Sequence, residues 1–522
     1  MAKKNNESRC VLTLPLLTLP YQEHILEKRF AIMTKIRDAL VHKELKKLNN
    51  LERRKDYKEL VAKINSTPKE KRKPLYKQKD EMIIHHLAPT GTSGKKSSIK
   101  SEFEKDVKPF REHYLEHVYS DIAIRIADDL WTAFDKYLWG NGEKIHFRKL
   151  DSVACKKINN GMKYENGIFT WKGGQLPKDT LKEIADRFSL SIRVAAPKNA
   201  YEQEMLKKEI KYLRVVRKWV KNRYKYYLQF TLVGEPVSKG RVIGQGRVGI
   251  DIGTQSIALV SKTHAQLLTL TDQVQENHEK ALRLQRKMDR SRRAMNPENF
   301  QSDGTIKRGV KLRWKDSKRY KKLAGELRHL QRKNADIRKY QHNCLANAIL
   351  EMGNEIYVES MDYRALQRRA KKTTKNAKGR FNRKKRFGKS LANRAPAMLL
   401  TILQNKVNAI PGASLQKVDT WTFRASQYDH TDQTYHKKQL SDRVAKLSNG
   451  DVVQRDLYAA FLLMNAARPS LPTAQPDHTD QTLCEQTYPQ FLLNHQNEIK
   501  RHHEADPMKQ LSSFGISSLC ES

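Results

Sequence analysis

Apolar residues recur at two periods along this chain, and the switches between them divide it. Over residues 21–50, Ile25, Phe30, Ile32, Ile36 and Leu40 fall near helical spacing with charges between them. Helical patterning resumes over 113–138, after a looser stretch at 89–98 rich in Gly, Ser and Thr. From about 140 to 245 glycines and short aromatic runs take over. Near the end of that region Tyr224, Tyr226, Leu228 and Phe230 alternate with polar residues, which predicts a half-buried strand. The apolar run 11–17 predicts a strand that opens the first domain. Pro15 and Pro20 interrupt it and no small-residue cleavage site follows, so it is not read as a signal peptide despite Lys3 and Lys4.

The third region begins at 246 with Gly249-Ile250-Asp251-Ile252-Gly253-Thr254, followed closely by Ile257-Ala258-Leu259-Val260. Two apolar strands around a glycine turn predict a hairpin that carries one carboxylate, the glycines allowing a tight turn and close approach of a phosphate. Ala281, Leu284 and Met288, then Tyr320, Leu323, Leu327, Leu330 and Ile337, predict two long helices forming an antiparallel hairpin over 273–352. Gly353-Asn354 ends the second helix, and Ile356 and Val358 mark a buried strand that closes on Glu359. Asp451, three residues before Gln454, predicts a capping box at the start of a helix whose apolar face is Leu457, Ala460, Phe461 and Met464. The tail, 469–522, is polar and proline-rich at first and is expected to be partly disordered. The hexapeptide Asp429-His430-Thr431-Asp432-Gln433-Thr434 recurs unchanged at 477–482, with no physical reason visible in the sequence.

Charge changes the picture. Against 57 Asp+Glu stand 101 Lys+Arg, a net charge of +44 over 522 residues. Such an excess points to nucleic acid as the partner. Aromatics interleaved with cations, as in Lys218, Arg223 and Tyr224, suit backbone binding with base stacking. Arg286, Lys287, Arg290 and Arg293 line the exposed face of the first hairpin helix. From Arg364 to Arg394 there are fourteen Lys or Arg and no acid, among them Arg368, Arg369, Arg380, Arg383 and Arg386. No apolar run approaches the ~20 residues of a membrane span. Five cysteines without paired spacing argue for a reducing, cytoplasmic compartment and against both a disulfide framework and a four-cysteine zinc site.

Within this basic chain, Asp251, Glu359 and Asp456 each sit in an apolar context. Three carboxylates at a sheet edge can hold two Mg²⁺ ions about 3.5–4 Å apart for in-line attack on a phosphodiester. Asp251, Glu359 and Asp456 are therefore the candidate catalytic residues and metal ligands. Asp456 is preferred to Asp451, which points some 140° away around a helix.

With its flanks, this constellation resembles the split RuvC-like nuclease domain of transposon-encoded TnpB proteins and the type V CRISPR effectors. The matching stretches are Gly249–Gly253, Leu284-Gln285-Arg286-Lys287-Met288, Val358-Glu359-Ser360-Met361-Asp362, and Arg455-Asp456 with Ala459-Ala460. The resemblance covers about 246–468; upstream it rests on layout. It implies an α/β, RNase H-like nuclease domain at 246–468 with a helical hairpin insertion. It also implies a helical recognition lobe at 21–138 and a β-barrel-like wedge domain at 139–245 that takes its first strand from 1–20. It implies a prokaryotic RNA-guided DNA endonuclease, cytoplasmic and nucleoid-associated while acting, with a guide RNA and target DNA as partners and Mg²⁺ as cofactor, replaceable by Mn²⁺. The family usually carries a zinc ribbon between its second and third acids. Here residues 426–442 hold Tyr428, His430, Tyr435 and His436 but no cysteine, so no zinc is expected. Two rivals remain: a transposition accessory or repressor that binds without cutting, and an actin- or sugar-kinase-like ATPase, whose phosphate site also opens on Asp-Ile-Gly-Thr.

Overall fold

The computed structural model describes residues 7–89, 96–140, 142, 144–174, 188–221, 223–237, 240–368, 374, 376, 379, 388–437, 442–468 and 476–505. Arg369, Arg380, Arg383 and Arg386, four of the expected nucleic-acid contacts, lie outside them. The chain forms two compact units that meet in sequence near residue 240. Among the described residues no helix is long and apolar enough to cross a membrane.

The first unit combines helices with a seven-stranded sheet. Strands β1 (Arg9–Leu17), β2 (Ser152–Ala154), β3 (Met162–Glu165), β4 (Ile168–Trp171), β5 (Leu190–Val194), β6 (Ile210–Val220) and β7 (Arg223–Val233) run in the order β2-β6-β7-β1-β5-β4-β3. Cys10, Leu12, Leu14 and Leu16 of β1 point inward, as its alternation requires. The strand pairs with β7 as far as Pro15 and with β5 from Leu16 onward. Pro15, which has no N–H to give, stands where the partner changes. Pro20 opens helix α1 (Pro20–Arg53), where a missing N–H costs nothing.

The helices α1, α2 (Lys55–Ser66), α3 (Lys73–Leu87), α4 (Lys96–Asp106), α5 (Lys108–Glu112) and α6 (Ser120–Leu138) share one continuous apolar core with the sheet. Helical segment and sheet thus share one core. Arg29 of α1 is buried in that core and donates to the carbonyls of Trp171, at 2.8 Å, and Phe188. Burial pushes its guanidinium down to about 10. Arg217, next to the expected contact Lys218, is likewise buried, bonded to Glu27 and Asp151 and lying over Phe30 and Tyr224.

The second unit is a five-stranded sheet covered on both faces. Strands β8 (Arg247–Ile252), β9 (Ser256–Ser261), β10 (Ala265–Thr269), β11 (Glu355–Glu359) and β12 (Ser414–Val418) run in the order β10-β9-β8-β11-β12. The first three are antiparallel hairpin strands, whereas β8, β11 and β12 are parallel. Between β10 and β11 come helices α8 (His278–Met295) and α9 (Lys318–Met352), a hairpin closed on Leu284, Leu323 and Leu330. Val248, Ile250 and Ile252 face α9 and helix α12 (Pro396–Val407). The other face, with Ala258, Val260 and Tyr357, packs on helix α14 (Arg455–Met464).

Gly249 decides how close α14 can come. A Cβ at that position would stand 1.9 Å from the Ala460 carbonyl oxygen and 2.4 Å from the Met464 nitrogen. Having no side chain, Gly249 admits the helix. Helix α14 is capped by Gln454, whose side chain accepts from Leu457 N at 2.7 Å. Asp451, expected at that cap, instead accepts a hydrogen bond from the Tyr488 hydroxyl at 2.8 Å.

Part of the tail expected to lack order forms helix α15 (Gln481–Ala505) against β10, at the edge of the sheet. The outward amide of Leu267 donates to Glu498 at 2.7 Å, and its carbonyl lies 2.9 Å from His502 Nε2. Side chains thereby occupy backbone groups that a further strand would take.

Two outcomes follow. Gly249→Ala should cost about 1–3 kcal/mol or more through overpacking, read as a lowered melting temperature. Burial disfavours the charged form of Glu498, but hydrogen bonds from Arg501, His502 and the Leu267 amide outweigh it and hold the carboxyl below its usual range. Its contribution is therefore complete above the ordinary glutamate value and lost as pH falls through the lower folded one. Glu498→Ala should lower the melting temperature at pH 7, and the gap to wild type should shrink in acid.

Candidate active site

The register of the parallel strands brings two of the three acids together. Ile250 on β8 lies opposite Val358 on β11, so the next step along both strands sets Asp251 beside Glu359. On the other side of β11, Glu359 lies opposite Val418 of β12. Alternation puts Asp251 on the same face as Gly249, and Glu359 on the same face as Tyr357, which is the face covered by α14. Asp456 stands in the first turn of that helix. Its carboxylate accepts from Arg455, with nitrogen–oxygen distances of 3.1 and 3.2 Å, and lies 3.5 Å from Arg443.

The electrostatics show that the three carboxylates sense one another. Burial, then the charges of Asp456 and Glu359, hold the Asp251 carboxyl well above the usual aspartate range. Burial pushes Glu359 up to about 7. The phenol of Tyr363, in helix α10 (Tyr363–Gln367), is raised by burial and then by Asp251 and Glu359. Tyr363 thus borders the site, four residues beyond Glu359, a placement that no spacing rule had marked.

An all-oxygen donor set suits a hard divalent cation such as Mg²⁺. The raised pKa values mark a deficit of positive charge that such an ion would supply. The triad's oxygens do not all lie within 4.8 Å of one another. Asp456 is turned toward the two arginines.

Among the described residues a second cluster is tighter: ligand atoms of Asp429, Asp432 and His436 lie within 4.8 Å of one another. These residues belong to the stretch 426–442. Asp429 accepts from Thr431 and Ser448, while Asp432 accepts from Thr434 and Ser448 and lies 2.8 Å from His436 Nε2. Hydrogen bonds therefore tie this loop together. His430 is buried among Tyr458, Phe461 and Tyr488, with Nδ1 2.6 Å from the Tyr458 hydroxyl. The repeated hexapeptide gains a physical role here. Gln481 of the second copy donates to the His430 carbonyl of the first at 2.8 Å, and Asp480 accepts from Leu483 N at the start of α15.

The other expected contacts divide by burial. Arg286, Lys287, Arg290 and Arg293 are exposed on α8, although Arg293 is tied to Asp289 and the Gly304 carbonyl. Arg368 is exposed beyond α10. In the first unit Lys218 and Arg223 are exposed, while Tyr224 is half-buried against Trp219. Arg394, counted in the basic run, is buried and donates to the carbonyls of Leu270 and Thr271 at 2.6 and 2.8 Å.

No family model and no curated protein matches the chain. Among solved structures it is similar to a chain in the cryo-EM structure of a Cas12f1–sgRNA–target DNA complex, at 13% identity and a TM-score of 0.46, covering 88% of this chain and 99% of that one. It is also similar to one in a CRISPR-Cas12f ternary complex, at 12% identity and a TM-score of 0.25, covering 90% and 100%.

The triad itself is testable through stability. Raised carboxyl values favour the folded state in acid, an advantage lost as pH rises through about 7 for Glu359. Asp251→Asn should therefore raise the melting temperature of the metal-free protein at pH 8, by an amount that shrinks as pH falls toward the ordinary aspartate value. Millimolar Mg²⁺ should stabilise the wild type at pH 8 and the variant much less.

Proposed function

We propose that this protein is an RNA-guided DNA endonuclease whose nuclease centre is Asp251, Glu359 and Asp456. The observation that carries this reading is the convergence of the three acids: two on adjacent parallel strands, the third on a helix laid over them at Gly249. The strand order of the second unit, three antiparallel strands followed by two parallel ones, supports an RNase H-like, RuvC-type domain. In the first unit, helices packed on an antiparallel sheet whose β1 links two strand sets support the recognition-lobe and wedge assignments. The net charge of +44 supports a polyanionic partner. The RNA guide itself rests on the motif resemblance.

In this reading Asp251, Glu359 and Asp456 would hold two Mg²⁺ ions, with Mn²⁺ able to substitute. Bound there, the ions would supply a nucleophilic water and neutralise charge on the departing 3′ oxygen. Arg455 would orient the Asp456 carboxylate. The exposed cations of α8, with Lys218, Arg223 and the basic run at Arg368, Arg369, Arg380, Arg383 and Arg386, would contact phosphates. Sequence choice would come from guide–target pairing. Residues 426–442 would serve without zinc, their hydrogen bonds doing what a ribbon's metal does elsewhere.

The test starts from the protein purified with its co-isolated RNA, which is sequenced and supplied back with Mg²⁺ and target DNA carrying randomised flanks. Asp251→Ala should reduce cleavage by at least about 100-fold, in line with loss of metal-assisted catalysis, and leave RNA binding near wild type. Undiminished cutting by that variant would refute the assignment.

A further inference from the structure

Trp421 is 84% exposed, an unusual state for a residue whose large apolar ring normally finds cover. Its backbone is nevertheless fixed. Helix α13 (Thr420–Phe423) is capped by Asp419, which accepts from Trp421 N at 3.0 Å. The Thr420 hydroxyl donates to the Ser360 carbonyl at 2.8 Å, and the Trp421 carbonyl accepts from Arg424 Nε at 2.9 Å. Two residues on, Phe423 is buried. A bulky ring is therefore held out into solvent by a rigid turn.

The turn stands at the rim of the acid triad. Val418, the last residue of β12, lies opposite Glu359, and its carbonyl accepts from Ser360 N at 2.9 Å. Because β8, β11 and β12 are parallel, they end at one edge of the sheet, and Trp421 comes three residues after Val418. Beyond it, Arg424 lies over the ring of Tyr435 at 5.7 Å, and Tyr435, half exposed, meets Tyr428 at 5.1 Å. Planar aromatic and guanidinium groups thus follow one another along the chain after β12.

We infer that Trp421 is a positioning residue that stacks on an unpaired nucleobase of the strand presented to Asp251, Glu359 and Asp456, an inference that rests on the nuclease reading above. Every base offers a π-face, so such a platform is indifferent to sequence. In a duplex both faces are already covered by neighbouring pairs, so the occupant is single-stranded at this point. Arg424 supplies the cation that a phosphate beside the stacked base requires. The consequence for the reaction is that the strand enters the site unpaired and is held in register by stacking rather than by base-edge hydrogen bonds.

The probe is a short single-stranded oligodeoxynucleotide carrying 2-aminopurine, titrated in Mg²⁺-free buffer into full-length Asp251→Asn protein and into the same protein with Trp421→Ala or Trp421→Phe. Stacking quenches the fluorophore. Trp421→Ala should weaken binding by about 5- to 100-fold and abolish most of the quench, while Trp421→Phe keeps a good part of both. Their melting temperatures should match the parent, since the ring is exposed. In guide-programmed cleavage by protein with Asp251 intact, Trp421→Ala should raise KM more than it lowers kcat. A pre-unpaired target should be hit by the substitution as hard as a duplex one. Equal affinity and quench in all three proteins would sink the inference and leave the triad's role standing. Cutting that survives Asp251→Ala would remove the nuclease reading, whatever the quench shows.

Discussion

The second unit depends on a contact that a single methyl group would forbid. Helix α14 lies against β8 where Gly249 offers no side chain, and that approach fixes the height of the helix above the sheet. Asp456, one turn before Ala460, is carried by the same contact to the end of the sheet where Asp251 and Glu359 already sit side by side. A site assembled from three distant stretches of chain is thereby reduced to one strand register and one helix–sheet distance. Both are properties of the backbone, and side-chain packing on either face holds them in place.

The acids are costly company for one another, and the fold does little to relieve them. Burial raises both Asp251 and Glu359, and the charges of Asp456 and Glu359 raise Asp251 further. Arg455 and Arg443, which pair with Asp456, offset this only in part at Asp251. That arrangement makes sense for a site completed from outside. A mobile divalent ion can be exchanged, oriented and shared with a phosphate, whereas a resident lysine or arginine would neutralise the same charge permanently.

Period-two and period-3.6 patterns made the strands that carry Asp251 and Glu359 legible. The helix that carries Asp456 was legible from its apolar face, but its cap was not. Gln454 takes that role because the short strand Val452–Gln454 delivers it, a tertiary fact that local spacing at Asp451 does not encode. Helix α15 was missed for a related reason. Part of its inward face consists of Asn494, His495, Glu498 and His502, polar groups turned inside to bond a strand edge and the loop beside it, which hydrophobic periodicity reads as solvent-facing. Charge composition failed at Arg29, Arg217 and Arg394. Each counted toward a basic surface, yet each is buried and bonded within the protein. The hexapeptide repeat made sense only once its two copies were seen to touch.

The side-chain seal on β10 bears on how this protein behaves in company. An uncovered outer strand invites another copy's strand to zip alongside, and in a chain this basic any polyanion would draw copies together and favour the encounter. Glu498 and His502 leave no free valence at Leu267 for such a visitor. Crowding along a nucleic acid therefore concentrates these molecules without giving their sheets a place to fuse at that residue.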